Sequence, residues 1–166
     1  STLVSAFNLG LPTDTTLFGL GAGMTIDATN NQVDFTAASV VQFGKLNWNN
    51  IAPEVGKSYT LTYTISNVPY ANPNATIAAG TALQPARLRP RLVDEFGNQI
   101  DFEEQISNGT YTQTLTMGIT SGSAQDQSNR FYFQSYDGNG EGFQGSVSGV
   151  SLVEAGNLTL NPESAT

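Results

Sequence analysis

Between Gly56 and Ser66 the chain alternates strictly. Tyr59, Leu61, Tyr63 and Ile65 are apolar or aromatic, and Thr60, Thr62, Thr64 and Ser66 carry hydroxyls between them. Successive side chains of a strand point to opposite faces, so this period of two predicts one greasy face and one hydroxyl face. β-branched and aromatic residues suit such a half-buried pleated surface. The design returns in Thr110–Met117, where Thr110, Thr112, Thr114 and Thr116 again share a parity. Tyr59 and Tyr63 are expected in the core.

The remaining pattern predicts more short strands. Met24–Asp27, Gln32–Thr36 and Val40–Lys45 are separated by Thr29-Asn30-Asn31, where Asn tolerates left-handed backbone, and by Ala37-Ala38-Ser39. Leu46–Val55 reads as a connection holding the sole tryptophan, Trp48, among asparagines. Residues 67–85 form a long polar loop, a candidate contact region because loops of that length usually have a task. Ala86–Glu95 and Gln99–Phe102 flank a Gly97-Asn98 turn signal, and Asn108-Gly109 marks another. Gly118–Asn129 is a polar loop. Arg130–Tyr136 follows, with Phe131, Phe133 and Ser135 on one face and Tyr132, Gln134 and Tyr136 on the other. In Gly142–Glu154, Phe143, Gly145 and Val147 share a parity that Val150 and Leu152 invert, which predicts a bulge at Gly149. No amphipathic helix of three turns is visible. About nine strands with frequent turns predict an all-β antiparallel sandwich.

Three segments result: an apolar N-terminal arm, 1–23, packed on its own domain or on a partner; a single domain, 24–156, with the insertion 67–85; and a polar tail, 157–166. The chain of 166 residues fits one domain.

Composition narrows the chemistry. There is no cysteine and no histidine, so disulfides, thiolate and imidazole metal sites and Ser-His-Asp catalysis are excluded. The net charge of −8 opposes a phosphate backbone, so no nucleic-acid partner is expected. Charged residues are only 12% of the chain, and Thr, Ser, Asn, Gln and Gly carry the surface. No apolar run reaches the length of a membrane-spanning helix. The N-terminus lacks a basic region followed by an apolar core, so no signal peptide is visible.

Three stretches carry a resemblance. Gly56–Ile65 has the form Gly-Lys-x-Tyr-x-Leu-x-Tyr-x-Ile, Asn108–Leu115 begins Asn-Gly-Thr-Tyr, and Gly142–Leu152 reads Gly-Phe-x-Gly-x-Val-x-x-Val-Ser-Leu. In this order they resemble the jelly-roll carbohydrate-binding-module superfamily, also called galactose-binding-like, over roughly residues 18 to 154. The resemblance implies a jelly-roll sandwich. It also implies a role found among such modules: a component of glycan-active enzymes, or a phage tail, fibre or capsid-decoration protein.

Candidate sites follow from residue types. Arg87, Arg89 and Arg91 share one strand face and hold half the cations of the chain. They could grip an acidic partner or a glycan carboxylate, or pair with Asp94, Glu95, Asp101, Glu103 and Glu104 across the hairpin. Pro90 among them predicts a sheet edge or a bulge. Trp48, Tyr70, Tyr132 and Tyr136 are aromatic candidates for stacking on sugar rings, and equally for packing. Asp137, Asn139 and Glu141 offer oxygen ligands of the kind Ca²⁺ prefers, in what also reads as a Gly-rich turn. Asp27 and Asp34 are further possible ligands for a structural calcium of the sort similar modules hold. Glu103-Glu104 and Glu141 are the only carboxylate groupings for acid/base work, and surface charge is the default reading.

No catalytic set emerges, and no cofactor is required. The sequence therefore predicts a non-enzyme: a phage virion structural protein, most simply a capsid decoration or cement protein, otherwise a tail component. It would contact other virion proteins and self-associate, a trimer being favoured. The alternative is an extracellular carbohydrate-binding module of a larger glycan-active protein.

Overall fold

A computed structural model describes residues 2–4, 18–21, 23–35, 45–69, 87–120, 127–136 and 143–155. Eleven strands are found among them: β1 (Thr2–Val4), β2 (Phe18–Gly19), β3 (Met24–Asp27), β4 (Gln32–Phe35), β5 (Lys45–Trp48), β6 (Ser58–Ser66), β7 (Arg87–Val93), β8 (Gln99–Asp101), β9 (Gly109–Thr116), β10 (Arg130–Tyr136) and β11 (Gly145–Ala155). Every pairing is antiparallel. Sheet A runs β3-β4-β11-β6-β9, and sheet B runs β2-β5-β10-β7-β8. The fold is a jelly-roll β-sandwich. The described parts of the N-terminal segment lie within it, since β1 pairs with β11 and β2 with β5.

Alternation alone accounts for the core. β6 buries Tyr59, Leu61, Tyr63 and Ile65 and leaves its hydroxyl residues half-exposed. Sheet B contributes Leu46, Leu88, Leu92, Phe131 and Phe133, and the two sets meet in one apolar cluster. Where sheet A is wet, its hydroxyls pair across β6 and β9: Ser58 with Thr116 at 2.6 Å, Thr60 with Thr114 at 2.8 Å, Thr62 with Thr112 at 3.1 Å and Thr64 with Thr110 at 2.8 Å.

The bulge in β11 is present. Val147 faces Ile65 and Leu152 faces Leu61, so five steps on β11 oppose four on β6. Gly149 takes the extra step with φ of 60°, a conformation that glycine adopts without strain. The inserted residue keeps both Val147 and Leu152 buried. It also lets β11 take β4 as neighbour before the bulge and β1 after it. In the turn before β4, Asn31 is left-handed at 54°.

One expectation is corrected and another is narrowed. Residues 45–48 are a strand, whereas Trp48 was expected in a connection and a strand was expected to end at Lys45. Lys-Leu-Asn-Trp alternates: Leu46 and Trp48 turn inward opposite Phe133 and Phe131, and Asn47 lies on the outer side, while Asn49 and Asn50 follow the strand. The rest of the expected strand, residues 40–44, is outside the described residues. Of the edge or bulge expected at Pro90, the bulge is found: Pro90 is not on an edge strand, because β7 lies between β10 and β8. Its missing N–H is accommodated beyond the end of β8. Phe102 N donates to Pro90 O at 3.0 Å, and the next bridge joins Leu88 to Gln105. Three steps on β7 thus oppose four on the facing segment, counting from Arg91–Asp101 to Leu88–Gln105, so the irregularity falls opposite the proline.

Candidate functional site

The strand register sorts the polar residues of sheet B onto its outer face. Gln134 stands opposite Lys45 on β5 and Arg89 on β7. One step along, Tyr132 stands between Asn47 and Arg91, and Arg91 faces Asp101 on β8. A further step places Arg130 opposite Val93, which faces Gln99. The row Asn47–Tyr132–Arg91–Asp101 crosses four strands, about 14 Å at ordinary strand spacing. Five of the six cations of the chain, Lys45, Arg87, Arg89, Arg91 and Arg130, share this face, and Lys57 is the sixth.

The face is held by side-chain bonds. Arg91 grips Asp101 through Nε to Oδ1 and through Nη2 to Oδ2, the second at 3.0 Å, and its Nη1 donates to the Tyr132 hydroxyl at 3.3 Å. Gln99 Nε2 donates to the same carboxylate at 3.2 Å. Arg89 Nη2 donates to Gln134 Oε1. Arg87 pairs with Glu104 at 3.3 Å. Lys45 Nζ lies 5.6 Å from the centroid of the Tyr132 ring, a cation–π contact.

Burial is unusual for an outer face. Tyr132 is 1% exposed, Gln134 6% and Arg89 9%, so the centre is recessed while Arg87 and Asp101 are exposed. Burial raises the Tyr132 phenol pKa, against the lowering pull of Arg91. Burial is the largest single influence on Arg91 and lowers its pKa, but the hydrogen bonds and charge interactions with Asp101 and Tyr132 together outweigh it and the net shift is upward. Asn47 donates through Nδ2 to Asn49 Oδ1 at 2.7 Å. The buried side-chain oxygens of Asn47 and Gln99 have no partner among the described residues. Two acceptors and a cationic floor could receive the hydroxyls and carboxylates of a ligand laid across the strands.

The structure thus brings Arg87, Arg89, Arg91 and Tyr132 together, and Arg87 and Arg91 make the cross-strand acidic pairs that were the alternative to ligand contact. Trp48 is not with them. Its ring packs against the core, 5.4 Å from Phe131 and 6.0 Å from Phe133, and is half-buried there. Tyr136 ends β10 opposite Arg87. Tyr70, Asp137, Asn139 and Glu141 lie outside the described residues. Asp27 closes its turn by accepting from Thr29 N, Asn30 N and Asn30 Nδ2, and these bonds hold its carboxyl below the usual range. Asp34 accepts from Gln32 and Ser146. Among the described residues no three acidic side chains gather around a cation position. Glu104 is taken by Arg87. Lys45, Asn47, Gln99, Gln134 and Arg130 are the members of the face that sequence reasoning did not single out. The alternation of Arg130–Tyr136 pointed to Gln134, and Lys45 and Asn47 needed β5.

Among solved structures, the chain is similar to the N-terminal cellulose-binding domain of β-1,4-glucanase C from Cellulomonas fimi, with a TM-score of 0.51 and 16% identity. The match covers 95% of this chain and 99% of that one. No protein-family model matches the chain. No curated protein matches it in sequence. The likeness is one of fold, the jelly-roll sandwich that the three sequence stretches implied.

Proposed function

We propose that this chain is a non-catalytic polysaccharide-binding module and that the outer face of sheet B is its glycan site. One observation carries the reading: on a sandwich of carbohydrate-binding shape, five of six cations, two carboxamides with unbonded oxygens and a recessed tyrosine converge on one sheet face. Carboxamides and guanidinium groups donate to hydroxyl and carboxylate oxygens, and a row across strands suits an extended chain. The cation excess favours a polysaccharide bearing carboxylates over a neutral one. The domain would act outside the cell, where such polymers are.

The virion structural reading depends on contact surfaces in the arm and the insertion. Thr2–Val4 and Phe18–Gly19 pair within this domain's own sheets, and residues 70–86 are outside the described residues, so the sheet face has the stronger support.

Affinity electrophoresis and calorimetry against a polyuronate and against soluble neutral β-glucans test the proposal. Saturable binding is expected, stronger for the polyuronate and weakened by salt. Gln134→Ala with Arg89→Ala should abolish it. Absence of binding to either class would overturn the reading.

A further inference from the structure

A second site is indicated away from sheet B. At the lateral edge of the sandwich, β9 and the segment 102–105 enclose a cavity of about 270 Å³. Its lining includes Tyr63, Tyr111, Glu103, Gln105 and Gln113. β9 is the last strand of sheet A, so this edge is where the two sheets part.

Tyr63 makes the cavity distinctive. Three other tyrosines of the sheets have satisfied hydroxyls: Tyr59 accepts from Glu54 N at 2.7 Å, Tyr111 donates to Ser107 O at 2.5 Å, and Tyr132 accepts from Arg91 at 3.3 Å. Tyr63 is 3% exposed as a residue; no described residue bonds its hydroxyl, and that oxygen is not among the buried atoms without a partner, so it opens on the cavity. A hydroxyl that opens on a cavity wall is free to bond a ligand in place of water.

The walls are fixed. Gln105 exchanges both backbone bonds with Leu88, at 2.8 Å and 3.0 Å. Gln113 Oε1 accepts from Glu103 N at 2.8 Å, which leaves the Gln113 amide nitrogen to donate. The half-buried Tyr111 ring stacks obliquely on Tyr63, with centroids 5.5 Å apart.

The chemistry is that of a neutral ring with several hydroxyls. One carboxylate accepts from vicinal hydroxyls, carboxamides and a phenol donate or accept, and an aromatic ring covers a C–H face. No cation is among the described residues that line the cavity, and Glu103 would repel an anion. We infer that this edge cavity binds a single neutral saccharide ring, through Tyr63, Glu103, Gln113 and Tyr111. The site shares no residue with the outer face of sheet B, and the inference does not rest on that face binding glycan.

Amide NMR titration of the full chain with glucose, galactose, mannose and xylose tests it. Shifts are expected at residues 103–105 and 111–113 for at least one of the four, with weak, millimolar affinity. Tyr63→Phe should keep or raise the melting temperature and weaken binding about tenfold, a change of 1.4 kcal/mol. Glu103→Gln should weaken it as well. Gln134→Ala removes a residue of the sheet B face and should leave the edge titration as it was. Three results would each overturn the inference: no shifts at the edge amides with any sugar, edge binding lost with Gln134→Ala, or a Tyr63→Phe variant that melts earlier and titrates unchanged. The last would mean that the hydroxyl serves the fold through ordered water.

Discussion

Arg91 on β7 holds Asp101 on β8 with two guanidinium nitrogens, across a directly opposed register pair. The pair ties the open end of sheet B to the recessed tyrosine, because the third nitrogen of Arg91 reaches Tyr132. Asp101 is partly exposed, so solvent screens the pair. Asp101→Asn is expected to lower stability by about 1 kcal/mol in urea unfolding, and less at high salt. It would free Arg91, so affinity for an anionic glycan should rise as stability falls. A parallel loss of both would show that Arg91 acts only as scaffold.

Gly149 provides a cleaner test of backbone strain. A Cβ there would meet nothing closer than Thr64 Oγ1 at 3.9 Å, so space is not the obstacle. Its φ of 60° is: an L residue pays about 1 kcal/mol to hold left-handed backbone. Gly149→Ala should therefore destabilise by about that amount, measured by chemical unfolding. Deleting Gly149 leaves four steps on β11 against four on β6, so Val147 and Leu152 should keep their inward facing and the chain should still fold, as a regular strand without the bulge. A deletion variant that lost native dispersion in its NMR spectrum would contradict this register.

The hydroxyl ladder between β6 and β9 should be worth little per rung. For Thr62 and Thr112, a double-mutant cycle to valine is expected to give a coupling of about 0.5 kcal/mol, since the hydroxyl pair is exposed. A coupling indistinguishable from zero would assign the pairing of these strands to the apolar face alone.

At high pH the tyrosines should set the limit of stability. Burial raises the phenol pKa of Tyr59, Tyr63, Tyr111 and Tyr132 above the ordinary value of 10.0, and Tyr63 most. A group whose folded pKa lies above its unfolded value gives stability that is complete below the unfolded pKa and is lost as pH rises toward the folded one. Stability should hold up to about pH 10 and then fall. Tyrosinate absorbance should rise together with loss of structure. If all six tyrosines of the chain ionised in a folded protein near the ordinary value, the burial of these rings would be refuted.

Strict alternation made much of the sandwich legible. The run from Tyr59 to Ser66 has one reading, and the inverted parity of Val147 and Leu152 required an inserted residue, which Gly149 supplies. Lys45–Trp48 was not legible. Four residues that include Asn47 and run on into Asn49 and Asn50 look like a connection until Phe131 and Phe133 are in place to cover Leu46 and Trp48. The same gap hid half of the candidate face, because Lys45 and Asn47 join Tyr132 and Gln134 only through the β5–β10 register.

The sequence by itself determined that the chain is all-β, which residues of each long strand face inward, and that catalysis by cysteine or histidine is absent. These are local properties: side-chain period and residue type do not depend on neighbours far along the chain. The tertiary structure alone decided which strands adjoin. It set five cations of distant sequence position on one sheet face, paired Arg91 with Asp101, turned Trp48 into the core and left the Tyr63 hydroxyl facing a cavity. Those outcomes are set by register and strand order, which no single stretch of an alternating sequence encodes.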